Sequence, residues 1–280
     1  MGIVEKYEGW MLAKSFISHI GNEKTGSSPI LRTIYIYVDG LGETPIPYIN
    51  GNSIRGKLRR MLMLDFLKRI EINPEDISTK LYHILFTGGV LESTEETYGV
   101  IDLNLRKQIR ENLIPVSLIG CAIGNQMIQG KLKVGHAFPV CEEYKKYLPD
   151  FLKKDERADI PVRVFTDESF QTRRDELKAE RDDEEQAIQM KVDYECFIPG
   201  TKFYHWFVLE NPTELEKSCF GRIIELFKES PFIGGKSSVG LGEVIFEYIP
   251  EPPKQDLYLQ YLDENKEKIK AFITDLEEKI

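Results

Sequence analysis

Between positions 48 and 60 the chain reads Tyr-Ile-Asn-Gly-Asn-Ser-Ile-Arg-Gly-Lys-Leu-Arg-Arg, which places four cations, Arg55, Lys57, Arg59 and Arg60, directly after a turn signal. Asn50, Gly51 and Asn52 favour a turn because Asn and Gly tolerate positive φ, and the Ser53 hydroxyl is suited to cap a helix start. The spacing predicts a helix from Ser53 to about Ile70. Ile54, Leu58, Met61 and Leu62 fall at i, i+4, i+7 and i+8 and make an apolar face, while Arg55 and Arg59, four apart, share another. A positive helix end, unpaired N–H groups and guanidinium forks together suit a phosphate. The competing reading is an amphipathic helix with a solvated basic face.

A second candidate lies at positions 232–243, Phe-Ile-Gly-Gly-Lys-Ser-Ser-Val-Gly-Leu-Gly-Glu. Its glycines let backbone N–H groups approach a phosphate or ribose, with Lys236 as a point charge and Ser237 and Ser238 as hydroxyl donors. It is not a nucleotide-hydrolysing P-loop. That motif needs a glycine where Ser230 stands, and it needs a strand before the loop, whereas positions 213–228 carry helical periodicity.

These stretches sit in a chain of 280 residues with 41% hydrophobic and 30% charged residues, enough for one elaborated domain or two small ones. No apolar run approaches the roughly 18–20 residues of a membrane span, and the first residues lack the apolar core of a signal peptide, so a cytoplasmic protein is expected. Cys121, Cys141, Cys196 and Cys219 are too scattered for a zinc site and are expected to be reduced and buried. A formal charge of −9 opposes indiscriminate coating of nucleic acid. The charge is uneven, however: positions 55–69 carry six basic residues against Asp65 alone, and the acids concentrate between 168 and 185.

Strands are predicted at 9–20, 30–38, 130–140, 190–209 (two, with a Pro-Gly bend) and 244–248, with loops at 21–29 and 41–47. Helices are predicted at 77–86, ending at Gly88-Gly89, at 213–228, and over a tail at 255–280. Positions 142–189 are too charged to build a core of their own. The order of elements implies an α+β sandwich with an inserted lobe.

In combination, four segments resemble the RAMP superfamily of CRISPR-associated proteins, in particular the Cas-seven backbone subunits that line guide RNA. The family's turn-helix motif is similar to residues 49–59. Its Leu-Phe-Gly segment followed by a strand is similar to Leu118-Ile119-Gly120 leading to 130–140, and its Pro-x-Gly-Thr-x-Phe motif to 198–203, with one residue fewer. Its glycine loop matches 234–242. The resemblance implies a ferredoxin-like, RNA-recognition-type palm with inserted finger and thumb segments. The palm would hold 1–141 and 190–250, the insertion at 142–189 would contribute to the thumb, and 251–280 would be a helical extension. It also implies RNA contact by His19, Lys24, Asn52, Ser53, Arg55, Lys57, Arg59, Arg60, Gly235, Lys236, Ser237 and Ser238. The implied partners are CRISPR guide RNA, target DNA or RNA, further copies of the chain in a filament, and other effector-complex subunits, with no membrane, metal or cofactor. Weak contacts repeated along one RNA become strong by multivalency.

Target-cleaving relatives place an aspartate in the loop after the first strand; here that loop has Ser27 or Ser28 instead, which implies a scaffold that holds RNA without cutting it. His19 is the candidate general base if cleavage occurs. Asp193 and Glu195 alternate on one strand face as a candidate carboxylate pair, with a solvated face as the simpler expectation, and Trp10, Tyr204 and Trp206 are candidate stacking residues, with core burial the simpler expectation for both tryptophans. Two other readings compete: a RAMP endoribonuclease, and a small-molecule phosphate-binding enzyme.

Overall fold

The structure is a computed structural model that describes residues 2–25, 28–91, 101–173 and 190–280. In chain order it contains β1 (Val4–Ala13), β2 (Ile20–Thr25), β3 (Ser28–Leu31), β4 (Thr33–Val38), β5 (Gly42–Pro47) and α1 (Gly51–Arg69). After α2 (Thr79–Tyr82) and a π turn at His83–Thr87 come α3 (Leu103–Asn112), α4 (Ile114–Ile119), β6 (Gly120–Ile123), β7 (Gln126–Gln129), β8 (Leu132–Val134) and β9 (Phe138–Pro139). The remainder holds α5 (Asp150–Lys153), β10 (Thr166–Arg173), β11 (Met190–Phe197), β12 (Lys202–Glu210), α6 (Glu214–Glu229), β13 (Val244–Ile249) and α7 (Asp256–Lys279).

The central sheet runs β13-β1-β12-β8, with β9 also on β12, and these pairs are antiparallel. Alternation along its strands decides where the core lies. Tyr7, Met11, Phe203, Phe207, Val244 and Tyr248 are buried on one face, where they join Leu58, Leu62 and Phe66 of α1 and Phe220, Ile224 and Phe227 of α6 in one apolar core. The two helices are also clamped by charge: Arg222 donates from Nε and Nη2 to the Asp65 carboxylate at 3.0 and 2.6 Å. The tail helix packs on the body through Tyr258, Leu262, Ile269, Ile273 and Leu276.

Gly221 marks how closely the chain leading to α7 crosses α6, since a Cβ there would lie 2.1 Å from the Pro253 carbonyl oxygen. Helix propensity alone favours Gly221→Ala by about 1 kcal/mol. The clash outweighs it, so the variant is expected to be less stable by about 1–3 kcal/mol in urea unfolding. A gain in stability would show that the 253–255 crossing yields freely.

Several expectations change. The first strand ends at Ala13 rather than continuing to Ile20, because positions 14–18 leave the sheet: Ile17 bridges Phe197 and Ser18 bridges Gly235. Both stretches predicted as loops contain paired strand: 21–25 and 28–29 lie in β2 and β3, which pair with each other, and 42–47 is β5, which pairs with β4. The strand expected over 130–140 is broken into β8 and β9. Within 142–189, Leu148, Leu152 and Ala158 do form a small core, but only by sharing Val140 and Tyr204 of the body. Then β10 pairs with β11 from Thr166↔Phe197 to Arg173↔Met190, a ribbon that opens toward 174–189, outside the described residues.

Candidate nucleic-acid interface

Helix α1 starts earlier than the sequence predicts, and Asn50, not Ser53, is its N-cap: the Asn50 side chain accepts from the Asn52 N–H at 2.8 Å. Two imidazoles complete the cap. Asn50 N–H donates to His19 Nε2 at 3.1 Å, and Gly51 N–H donates to His136 Nδ1 at 2.9 Å. Both rings must be neutral to accept, which agrees with burial and the nearby Arg32 pushing His19 down to about 4, and burial lowering His136. The helix start therefore spends its N–H groups internally. Any phosphate near it meets side chains and not the amides expected from the sequence.

At 100° per residue, Lys57 points about 160° away from Arg55 and Arg59 around α1. Its Nζ lies 5.2 Å from the centre of the Phe232 ring, at the start of the glycine loop, and burial with neighbouring Arg60 lowers its pKa to about 8. The loop is stitched to the segment before β2: Gly235 N–H donates to Ser18 O at 2.7 Å and Gly242 N–H to Phe16 O at 2.8 Å. Gly234 holds φ 76°, and a Cβ there would meet Ser18 O at 2.5 Å. Lys236 is left-handed, with Nζ 3.3 Å from the Tyr194 ring centre on β11, and exposed Ser237 and Ser238 begin a 3-10 turn. His19, Lys57, Gly235, Lys236, Ser237 and Ser238, spread over more than two hundred positions, thus share one surface, with the Arg60 side chain exposed on the same helix.

Arg55 and Arg59, which the resemblance groups with Lys236 as RNA contacts, do not join it. Arg59 is only 7% exposed, and it donates to Leu85 O at 3.3 Å and Gly120 O at 2.7 Å. Arg55 donates to Ile119 O. Both face a cavity of about 880 Å³ whose far wall carries Arg106 and Arg110 of α3, with Lys133 on β8 and Asn52 on the first turn of α1. Arg106 and Arg110 donate to the Met127 and Gln129 carbonyls of β7 at 2.8 and 2.9 Å. These two arginines went unnoticed in the sequence, although their i, i+4 spacing beside Leu105 and Ile109 marks a basic stripe on an amphipathic helix.

Other candidates resolve into structural roles. Glu195 accepts from Leu31 N–H at 2.8 Å, and Asp193 is exposed on the same strand, so the two are not a paired site. His205 is fully buried against the Tyr248 hydroxyl at 2.8 Å. Trp10 and Trp206 are half-buried beside the small core at 140–158, under Lys202 and Lys6 respectively, rather than in the main core. The four cysteines are buried free thiols. Among the described residues, no group of three His, Cys, Asp or Glu converges on a point. Lys24 lies on β2, but its side chain falls outside the described residues, as do Ser27 and the side chain of Ser28.

No helix among the described residues is long and apolar enough to cross a membrane. No curated protein matches the sequence. A chain of a solved structure titled "Type IV-B CRISPR Complex" is similar in fold, with a TM-score of 0.60 at 20% identity over 90% of this chain and 96% of that one. The RAMP superfamily model matches residues 19–245, spanning both the α1 turn-helix segment and the glycine loop, and the chain belongs to the RAMP superfamily.

Proposed function

We propose that this protein is a structural subunit of a CRISPR effector complex that oligomerises along a guide RNA, holds its phosphate-ribose backbone and presents it for pairing with a target. The order β1-α1-β8-β12-α6-β13, with sheet order β13-β1-β12-β8 and both helices on one face, fits a ferredoxin-like palm. On this reading β2–β5 and α2–β7 are finger insertions, and the β10–β11 ribbon is the base of the thumb. The observation that carries the proposal is the convergence of α1, the 16–19 segment and the glycine loop on one surface. Contact through Lys57, Lys236 and hydroxyls follows phosphates and riboses without reading base edges, as a guide of arbitrary sequence requires.

The scaffold role without cleavage rests on the serine-bearing loop at 21–29 and on the state of His19, whose Nε2 already accepts a backbone N–H. Co-expression with a guide RNA array followed by size exclusion tests the proposal. The expected product is a multimer carrying RNA, with the Lys57→Ala/Lys236→Ala variant retaining at least several-fold less RNA at unchanged thermal stability. A wild-type monomer free of nucleic acid overturns the proposal, and regularly spaced cuts in a complementary RNA with magnesium overturn the scaffold role.

A further inference from the structure

The cavity on the opposite side of α1 is absorbed by neither the glycine-loop surface nor the core. Among the described residues its lining carries Arg55, Arg59, Arg106, Arg110 and Lys133 and no acidic residue. Lys133 is met by the Glu210 carboxylate. The four guanidiniums are met by backbone carbonyls and, for Arg110, the Ser117 hydroxyl, which accept hydrogen bonds without cancelling charge. Among the described residues, the Nε atoms of Arg55 and Arg106 have no partner, and both are buried out of reach of the cavity itself. Four guanidinium charges with no facing carboxylate among the described residues favour an anionic acceptor that reaches both walls. At about 880 Å³ it is far larger than a single ion needs and lies within the roughly 300–1,000 Å³ range of organic ligand sites.

Resting on the RNA reading above, we propose that this cavity is a second phosphate site, which takes one segment of the RNA backbone between α1 and α3, with the guanidiniums of Arg55 and Arg106 supplying positive charge from its two walls. Asn52, exposed on the first turn of α1, lies on the rim, so a strand that leaves the glycine-loop surface over this turn enters the cavity. Met127, 63% exposed on β7, gives a base or ribose an apolar wall. An acidic peptide would satisfy the same guanidiniums, but the shared helix makes a nucleic-acid strand the occupant favoured here.

Two probes test the site, inorganic pyrophosphate and a short oligouridylate, each titrated against wild type, Arg106→Gln/Arg110→Gln and Gln129→Glu. The last variant places a carboxylate on the lining while leaving every arginine–carbonyl bond in place, so it reports on the cavity even if the double variant folds poorly. Wild type is expected to bind both probes. Each variant should lose pyrophosphate binding and bind the oligonucleotide about tenfold more weakly, and the double variant should show a salt dependence shallower by about 1.4, or roughly 0.7 for each of two phosphate contacts. If wild type binds RNA and neither variant changes its affinity or salt dependence, the cavity site is wrong and the RNA reading stands. If wild type binds pyrophosphate but no RNA, both are wrong and the site serves a free phosphate compound. Displacement of pyrophosphate by polyglutamate but not by RNA overturns the proposal in favour of a protein partner.

Discussion

Arg59→Ala is expected to destabilise the protein by about 2–4 kcal/mol, a loss of structure and not merely of binding. The Arg59 guanidinium holds two carbonyls from different parts of the chain, Leu85 in the π turn and Gly120 at the start of β6, and it ties both to α1. Removing it orphans both acceptors in a buried setting, and hydrogen bonds to a charged donor contribute about 1.5–3 kcal/mol each. Relief of an unfavourable buried charge offsets part of this. Burial and the neighbouring Arg55 already lower the Arg59 pKa to about 10, although the group stays protonated at neutral pH. Arg59→Lys should recover less than half of the loss, because one ammonium does not reproduce a planar fork spanning two carbonyls. Urea unfolding of the three proteins decides the matter; a change under about 0.5 kcal/mol for Arg59→Ala would mean that the guanidinium is solvated and the bonds to Leu85 and Gly120 are incidental.

This result would also separate the two arginines that the sequence presents as equivalent. Positions 55 and 59 share a helix face, which periodicity shows correctly, but periodicity is silent on whether that face meets solvent or another element. The other wall is α3 and the β6–β7 hairpin, more than forty positions away, so the fate of Arg59 rests on tertiary packing. Lys57 is the converse case. Its divergence from Arg55 and Arg59 follows from helical geometry alone, and grouping all four cations into one patch overlooks that angle.

Elements with strong local signals were legible: the helix following Asn50, the glycine loop, the α6 periodicity and the amphipathic tail. The displaced cap was not, because Ser53 and Asn50 are both good caps and the choice was made by His19 and His136, which come from distant segments. The strand at 30–38 was legible, but its hairpin partners β2 and β5 were missed for a different reason. β2 (Ile20–Thr25) is mostly polar and β5 (Gly42–Pro47) holds a glycine and two prolines, so composition reads as loop where strand pairing prevails.

The same two histidines, with His205, make the protein acid-sensitive well above the range where carboxylates titrate. Burial holds His19 down to about 4, with help from Arg32, and His205 down to about 3, against about 6.5 in an unfolded chain. Below pH 6.5 the unfolded chain binds protons at these sites and the folded chain does not, so stability falls as pH falls. The loss is absent above about pH 7, grows from 6.5 downward, and ceases to grow through His19 near 4 and through His205 near 3. At pH 5 the difference of about 1.5 units amounts to roughly 2 kcal/mol for buried His205 and about 1–2 kcal/mol for half-buried His19. Glu216, whose carboxyl is held low by Lys131 and Ser117 against the cost of burial, adds to the loss only below about 4.5, so it does not confuse the window from 6.5 to 5. Urea unfolding at pH 7, 6 and 5 should therefore show a fall of about 3–4 kcal/mol, and His19→Gln, whose amide oxygen can still accept from Asn50, should remove nearly half of that slope while retaining the helix cap. A stability independent of pH between 7 and 5 would mean that the imidazoles are solvated and that the cap of α1 is not built on neutral histidines.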